Sequence, residues 1–303
     1  MLPHVTILMA TYNGADFILD QLRSIRDQTH KKFLLLISDD GSTDGTLEIA
    51  KDFAVRTPEM HIQFLTGPCK GSCQNFWNLV DHISHSTDYV AFSDQDDVWM
   101  PDKLSCAIKK LEPVIGSGLY GARFIETDAN LLPTGVSMRL RTDPSFKNAL
   151  VQNVFSGNSC VLNRKGVEVL RQIKGRGHIF DWYLYQVFSG AGAKLIYDTE
   201  PKYFYRQHKH NQIGSNLGLY SRLMRMFYVL CGRYRLWNEV NLSALTKDRR
   251  LLTKSNRRTL AQFRRLRNQS GLQAILSLKK IGLKRQGELG QVGLILSAVL
   301  GKL

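Results

Sequence analysis

Phe33-Leu34-Leu35-Leu36-Ile37-Ser38-Asp39-Asp40-Gly41-Ser42-Thr43-Asp44-Gly45 is the stretch that decides the fold. Residues 33–37 are apolar at every position and leave no solvent face, the pattern of a strand in a parallel sheet covered on both sides. The run stops at a cluster of turn and cap residues, and Leu47, Ile49, Ala50 and Phe53 then continue at helical spacing. The same unit precedes it. Residues 5–10 form a short, mostly apolar run ended by Thr11-Tyr12-Asn13-Gly14, and Phe17, Ile18, Leu22 and Ile25 follow as on a helix. It also follows: residues 61–65 read as a third strand, Phe76, Leu79, Val80 and Ile83 as a helix, and Tyr89–Ser93 as a fourth strand ending at Asp94-Gln95-Asp96-Asp97. Strands alternating with helices require right-handed crossovers and a mainly parallel α/β sheet.

The chain of 303 residues is 43% hydrophobic and 22% charged, which excludes a disordered or collagenous protein. No uninterrupted apolar stretch reaches the roughly 18 residues of a spanning helix. The N-terminus has neither the charged start nor the cleavage site of a secretory signal. Five cysteines without regular spacing point to a reducing compartment, so a cytoplasmic protein is expected. The net charge of +15 is unevenly spread: residues 1–220 are balanced, and residues 221–303 hold 18 Lys and Arg against Glu239, Asp248 and Glu288. The neutral part suits a packed enzyme, and the basic part an anionic partner.

In an open α/β sheet, ligands bind beyond the carboxyl ends of the strands. Thr11-Tyr12-Asn13, Asp39-Asp40 and Asp94-Gln95-Asp96-Asp97 each stand at such an end, which places them around one site. Gathered carboxylates repel one another unless a cation, a proton or a hydrogen-bonding ligand compensates them. Asp94, Asp96 and Asp97 are hard oxygen donors, suited to Mg²⁺ or Mn²⁺ and not to zinc. The plainer alternative is a solvated acidic turn capping a helix over residues 101–111. Two other constellations fall away. Cys69 and Cys73 with His82 and His85 have zinc-ligand residue types, but the histidines sit within an amphipathic helix and miss the usual spacing. Tyr12-Asn13-Gly14-Ala15 lacks the glycine pattern of a dinucleotide-binding turn.

Val5-Thr6-Ile7-Leu8-Met9-Ala10-Thr11-Tyr12-Asn13, Asp39-Asp40-Gly41-Ser42-Thr43-Asp44-Gly45-Thr46 and Ser93-Asp94-Gln95-Asp96-Asp97-Val98-Trp99, in this order, resemble the signature segments of family 2 glycosyltransferases. Phe180-Asp181-Trp182-Tyr183-Leu184, and Tyr205-Arg206-Gln207-His208 followed by Asn211, are similar to segments of bacterial rhamnosyltransferases that build surface polysaccharide. The resemblance covers roughly residues 3–215. It implies a GT-A fold, Rossmann-like and mainly parallel with helices on both faces, and a catalytic domain over residues 1–215. It also implies an inverting, metal-dependent transfer from a nucleotide-sugar.

On this resemblance Thr11, Tyr12 and Asn13 lie against the base and ribose of the donor, and Asp40, with Asp39 beside it, accepts the base N3–H. Asp94 binds the ribose or a metal-bound water, with Gln95 beside it in the donor site. Asp96 ligates Mg²⁺ or Mn²⁺, and His208 reaches the metal or diphosphate from the far side. Arg206 and Lys209 are alternative cationic clamps for the diphosphate, and Lys70 and Asn75 are weaker donor contacts. Asp181 matches the general base that takes the proton of the attacking hydroxyl. A helix N-cap is the structural alternative for this residue, and the preceding position, often His or Glu in the family, is Phe180. Gly157 and Asn158 are expected to shape the acceptor pocket, and Trp182 either stacks on an acceptor sugar or packs in the core.

Residues 216–303 read as a basic helical extension. Leu219, Leu223, Met226, Phe227 and Leu230 recur at helical spacing among arginines and aromatic residues, and residues 289–303 form an apolar tail too short to span a bilayer. An anionic membrane surface is the expected partner, with a solvated helical hairpin as the alternative. Nucleic acid is not expected, because the segment has no nucleic-acid motif and more apolar residues than such an arm needs. The expected activity is transfer of L-rhamnose from dTDP-rhamnose to a lipid-linked saccharide at the inner face of the cell membrane. The alternatives are transfer from a UDP-hexose by the same machinery and a catalytically silent sugar-nucleotide or glycan-binding module.

Overall fold

The structure is a computed structural model, and it describes residues 2–209 and 233–303. The expected boundary near residue 215 and the helical spacing of residues 219–230 lie outside the described residues. The chain divides into two compact units: Met1–Ser137 with Phe155–Gln172 and Ile196–Gln212, and Met138–Val154 with Ile173–Leu195 and Ile213–Leu303.

The first unit holds the sheet. Four parallel strands, β1 (Val5–Thr11), β2 (Phe33–Asp39), β3 (His61–Thr66) and β4 (Tyr89–Ser93), lie in the order β3-β2-β1-β4. They match the runs read from the sequence, extended by a residue or two into the polar ends of β1, β2 and β3. Side chains alternate between the two faces of the sheet. Val5, Ile7 and Met9 share one core with Leu35 and Ile37 and with the buried faces of helices α1 (Ile18–Arg26), α2 (Thr46–Arg56) and α4 (Lys103–Leu111). On the other face Phe92 of β4 meets the ring of Phe76 in α3 (Ser72–Asp81), edge to face at 6.2 Å. Each such Leu, Ile or Phe taken fully out of water contributes about 1.5–3 kcal/mol.

The sheet is mixed, because its second half runs antiparallel. Strand β8 (Val161–Leu162) pairs with β4 and with β6 (Gly118–Thr127), and β5 (Val98–Trp99) pairs with β9 (Lys194–Arg206). The full order is β3-β2-β1-β4-β8-β6-β9-β5, with β7 (Pro133–Val136) beside β6. Helix α6 (Arg164–Gln172) follows β8. The antiparallel half returns the chain so that β9 ends next to the loop after β4.

The second unit is helical among its described residues: α5 (Phe146–Ala149), α7 (Phe180–Gly190), α8 (Arg233–Lys247), α9 (Lys254–Leu266), α10 (Gly271–Ile281) and α11 (Glu288–Val299). One buried carboxylate organises much of it. Asp248, just after α8, accepts the N–H groups of Lys174 (2.8 Å) and Gly175 (3.0 Å) and the hydroxyl of Tyr183 in α7 (2.7 Å). The backbone N–H of His178 reaches Asn241 Oδ1 at 2.8 Å, and the His178 and Trp237 rings stack with centroids 5.4 Å apart. The unit thus joins residues from both sides of position 215. Replacing Asp248 with Ala leaves three donors without their acceptor and is expected to cost about 3 kcal/mol. Urea unfolding followed at α-helical wavelengths checks this, and a midpoint equal to wild type contradicts it.

Candidate active site

At the carboxyl ends of the parallel strands the loops are tied to one another in the order of the sheet. Between β1 and β2, Thr11 Oγ1 donates to Asp39 Oδ2 at 2.9 Å, and the N–H of Asp40 donates to the Thr11 carbonyl at 2.9 Å. Asn13 takes the left-handed conformation (φ 46°); its N–H donates to Ser42 Oγ and its Oδ1 accepts from Thr43 N–H, both at 2.9 Å. Between β2 and β3, Asp40 accepts from the N–H groups of Cys69 and Gly71, each at 2.7 Å. Gly67 lies so close that a Cβ there would stand 2.8 Å from Asp40 Oδ1. Between β1 and β4, Gln95 pairs with the Tyr12 backbone in both directions at 2.8 Å, accepting its N–H and donating to its carbonyl.

This lacing separates residues that build the site from residues that face outward. Asp39 is occupied by the N–H groups of Gly41 and Ser42 and the hydroxyls of Thr11 and Ser42, so it shapes the loop and has little left for a ligand. Asn75 is buried in α3 and donates to the Ser38 carbonyl at 2.7 Å, which fixes the end of β2; the donor contact expected of it is not what this geometry offers. Tyr12, by contrast, is 56% exposed, and Lys70 is exposed between the two N–H groups that hold Asp40.

The acidic loop after β4 is not a solvated turn. Asp97 is fully buried, with Oδ1 accepting the N–H of Arg206 at 3.0 Å and Oδ2 accepting the amide of Asn158. Asn158, in the 3-10 turn Gly157–Ser159, also accepts from the indole of Trp99 (2.9 Å) and the N–H of Asp94 (3.3 Å). It is thus a buried brace for the acidic loop, at a position to which the family resemblance gives a part in the acceptor pocket. Burial, and then the charges of Asp96 and Asp94, push the Asp97 carboxyl well above the usual carboxylate range, against the opposing pull of the Arg206 N–H and the Asn158 amide. Such a cluster is one that a cation relieves.

Asp96 and His208 do meet. Asp96 Oδ2 and His208 Nε2 are 2.9 Å apart, and the imidazole stacks on Phe17 with centroids 4.3 Å apart. Two neighbouring ligands of a small octahedral ion, each at about 2.1 Å, stand about 3 Å apart, so the pair fits one edge of a Mg²⁺ or Mn²⁺ site. Asp94 does not complete a set of three: among the described residues no group of three or more His, Cys, Asp or Glu is placed to hold a metal. Arg206 is 3% exposed, paired to Asp20 Oδ2 at 2.8 Å and lying over Phe17 at 4.9 Å. A guanidinium so committed is a structural partner of α1 and not an open clamp for a diphosphate; Lys209 is exposed. Phe17, which helical spacing assigns to the core, is therefore the platform for His208. The separation of 191 positions between the two residues hides that contact from any local pattern.

Asp181 lies in the second unit, in the first turn of α7, where the helix N-terminus favours a negative charge. It is not the N-cap, which is Ile179; its Oδ1 accepts the N–H of Trp182 at 2.6 Å. Trp182 is 3% exposed and its indole donates to the Ala149 carbonyl at 2.7 Å, so its ring is core packing and is not offered to a sugar.

The family model described as Glycosyl transferase family 2 matches residues 6–178. The chain is 30% identical over 250 residues, 75% of its length and 81% of the relative's, to the dTDP-rhamnosyl transferase RfbG of Shigella flexneri. In fold it is similar to TarS of S. aureus in complex with UDP-GlcNAc (TM-score 0.55, 13% identity, covering 91% of this chain and 80% of that one). It is also similar to the mannosyltransferase PcManGT of Pyrobaculum calidifontis in complex with GDP-Man and Mn²⁺ (TM-score 0.54, 17% identity, covering 100% and 86%). The chain belongs to glycosyl transferase family 2 and has the GT-A fold.

Beneath the acidic loop lies a group the sequence did not single out. Lys103 is fully buried at the start of α4; its Nζ has no hydrogen-bond partner among the described residues and sits 3.3 Å from the centroid of the Trp99 ring. Burial lowers its ammonium from 10.5 to about 7, opposed by the charges of Cys160 and Asp97. Between these values the unfolded chain holds a proton that the folded chain has released, so this residue makes stability rise with pH across that window. Lys103→Met keeps the volume and removes the titration. The variant is expected to be more stable than wild type at pH 7, with the gap narrowing as pH climbs toward 10. Urea midpoints measured along that range check it, and a gap that stays constant contradicts it.

Proposed function

We propose that this chain transfers L-rhamnose from dTDP-rhamnose to a lipid-linked saccharide in the assembly of a cell-surface polysaccharide, with inversion at the anomeric carbon and dependence on Mg²⁺ or Mn²⁺. The observation that carries the donor assignment is the identity to a dTDP-rhamnosyl transferase across three quarters of the chain. In this reading the exposed Tyr12 presents its ring to the thymine, and Asp40, already fixed by Cys69 and Gly71, accepts the base N3–H with its remaining lone pairs. Asn13 and Gln95 hold the β1 loop in the shape that frames the base and ribose. Asp94 faces the ribose. Lys70 adds a cation at the rim.

Asp96 and His208 are the residues to hold the divalent ion, which when bound offsets the negative charge that grows on the nucleoside diphosphate as the glycosidic bond breaks. Phe17 fixes the His208 ring, and the Asp97–Asn158 pair fixes the backbone from which Asp96 projects. Asp181 is the general base: it takes the proton of the acceptor hydroxyl as oxygen attacks the anomeric carbon from the face opposite the leaving diphosphate. A single base without a covalent nucleophile gives inversion. Gly157 contributes to the acceptor side. The enzyme works at the cytoplasmic face of the membrane, where its acceptor is anchored. No helix among the described residues is long and apolar enough to cross a bilayer.

Purified enzyme incubated with dTDP-rhamnose, Mg²⁺ and a polyprenyl-linked glycan acceptor is expected to release dTDP and to give a glycosidic bond of anomeric configuration opposite to that of the donor; a retained configuration contradicts inversion. Asp181→Asn is expected to lower kcat at least about 10²-fold with the donor KM nearly unchanged, because it removes proton transfer and leaves donor binding intact. Asp96→Ala and chelation are expected to abolish turnover. Turnover that survives either change contradicts the mechanism. Preference for a UDP-hexose overturns the donor assignment alone, and donor binding without any release of nucleoside diphosphate indicates a silent binding module.

A further inference from the structure

Helix α11 is apolar nearly all the way round. Its one charged residue, Glu288 in the first turn, is paired with Arg141 at 3.0 Å. One side packs inward through Gly293, Leu294, Ser297 and Ala298. The other side carries Leu289, Val292 and Leu296, continued by Leu300 just past the helix, at spacings of three, four and four residues; these side chains are between 41% and 67% exposed. A helix that is hydrophobic on every face is ordinarily covered on every face. Its packed neighbour α10 repeats the feature, with Leu272 and Leu276 exposed, and the same stripe ends in the exposed Lys279 and Lys280.

Charge says what covers this stripe. Residues 233–303 hold 16 Lys and Arg and three acids. All three acids are engaged within the fold: Asp248 is buried under Lys174, Gly175 and Tyr183, Glu239 pairs with Arg267, and Glu288 pairs with Arg141. Arg249, Arg250, Lys254, Arg258, Arg265 and Lys284 are exposed, as are Lys279 and Lys280. Exposed aliphatic side chains together with uncompensated cations are the two signals that hold a protein on an anionic bilayer, and either alone binds weakly. A second copy of the same unit would bring like charge against like charge. Nucleic acid would satisfy the cations and leave the leucines in water.

We infer that the outer stripe of α11, Leu289, Val292, Leu296 and Leu300, inserts into the headgroup boundary of an anionic phospholipid membrane while exposed Lys and Arg of the same unit hold the headgroups. This rests on the membrane reading given above and names the surface responsible. Full-length protein is mixed with phosphatidylglycerol-rich or pure phosphatidylcholine vesicles and sedimented. Wild type is expected to bind the anionic vesicles, less so in high salt, and to bind the neutral ones weakly. Leu296→Gln with Leu300→Gln is expected to lower binding about tenfold or more without changing the thermal midpoint. In a separate variant, Val292→Trp, fluorescence is expected to be quenched by brominated lipid in the anionic vesicles, a readout that does not depend on weakening the fold. Wild type that binds no vesicle overturns the membrane reading and this inference together. Wild type that binds, while the double variant binds equally or the Val292→Trp variant goes unquenched, overturns the inference and leaves the membrane reading. A dimer lost in the double variant, or binding to RNA in place of vesicles, assigns the surface to another partner and overturns it.

Discussion

A buried carboxylate, Asp97, holds the loops at the carboxyl end of the sheet together. One oxygen takes the N–H of Arg206 where β9 ends, and the other takes the amide of Asn158 from the turn before β8. Asn158 in turn receives the Trp99 indole and the Asp94 N–H. Two segments far apart in sequence are thus joined to a single acidic loop, which also carries the Asp96 that meets His208. Burying a charged or polar group without partners costs several kcal/mol, so the network either forms completely or destabilises the loop. The turn before β8 and the end of β9 bring Asn158, Arg206 and His208 to the loop after β4.

Much of this was legible from residue order. Short, largely apolar runs ended by polar turn residues mark the four parallel strands within two residues at each end, most plainly in β2, where residues 33–37 are apolar at every position; β3, at the edge of the sheet, is half exposed and carries His61 and Gln63. The rule that ligands lie at strand carboxyl ends groups Thr11, Asp39 and Asp40, and hydrogen bonds join the loops that carry them at the ends of β1 and β2. What stayed hidden was which atoms are free. Asp39 and Asp40 look alike in sequence, yet Asp39 is saturated by its own loop and Asp40 keeps lone pairs. Arg206 reads as a phosphate clamp but is held by Asp20 and Phe17, and of the two readings open for Trp182, stacking on a sugar or core packing, its indole on Ala149 agrees with packing. The partners of Arg206 and Trp182 lie tens to nearly two hundred residues away. No period or spacing encodes such a contact.

The two units divide the chemistry of the chain. In the first, acidic groups sit in loops and are held by backbone N–H groups, which suits a cation and a nucleotide. In the second, Asp248 is buried, Glu239 and Glu288 are paired with arginines, and many more Lys and Arg are exposed than acids, which suits an anionic partner. The charge balance of the sequence gathers the excess of Lys and Arg in residues 221–303, while the second unit also takes in residues 138–154 and 173–195.

The binding place of the nucleotide and its metal is the most direct test. Crystals grown with Mn²⁺ and dTDP, with anomalous diffraction collected for manganese, locate both. A manganese peak coordinated by Asp96 and His208 is predicted, with thymine against Tyr12 and Asp40. A nucleotide bound elsewhere, or Asp96 and His208 still paired to each other with the metal at another place, would contradict it.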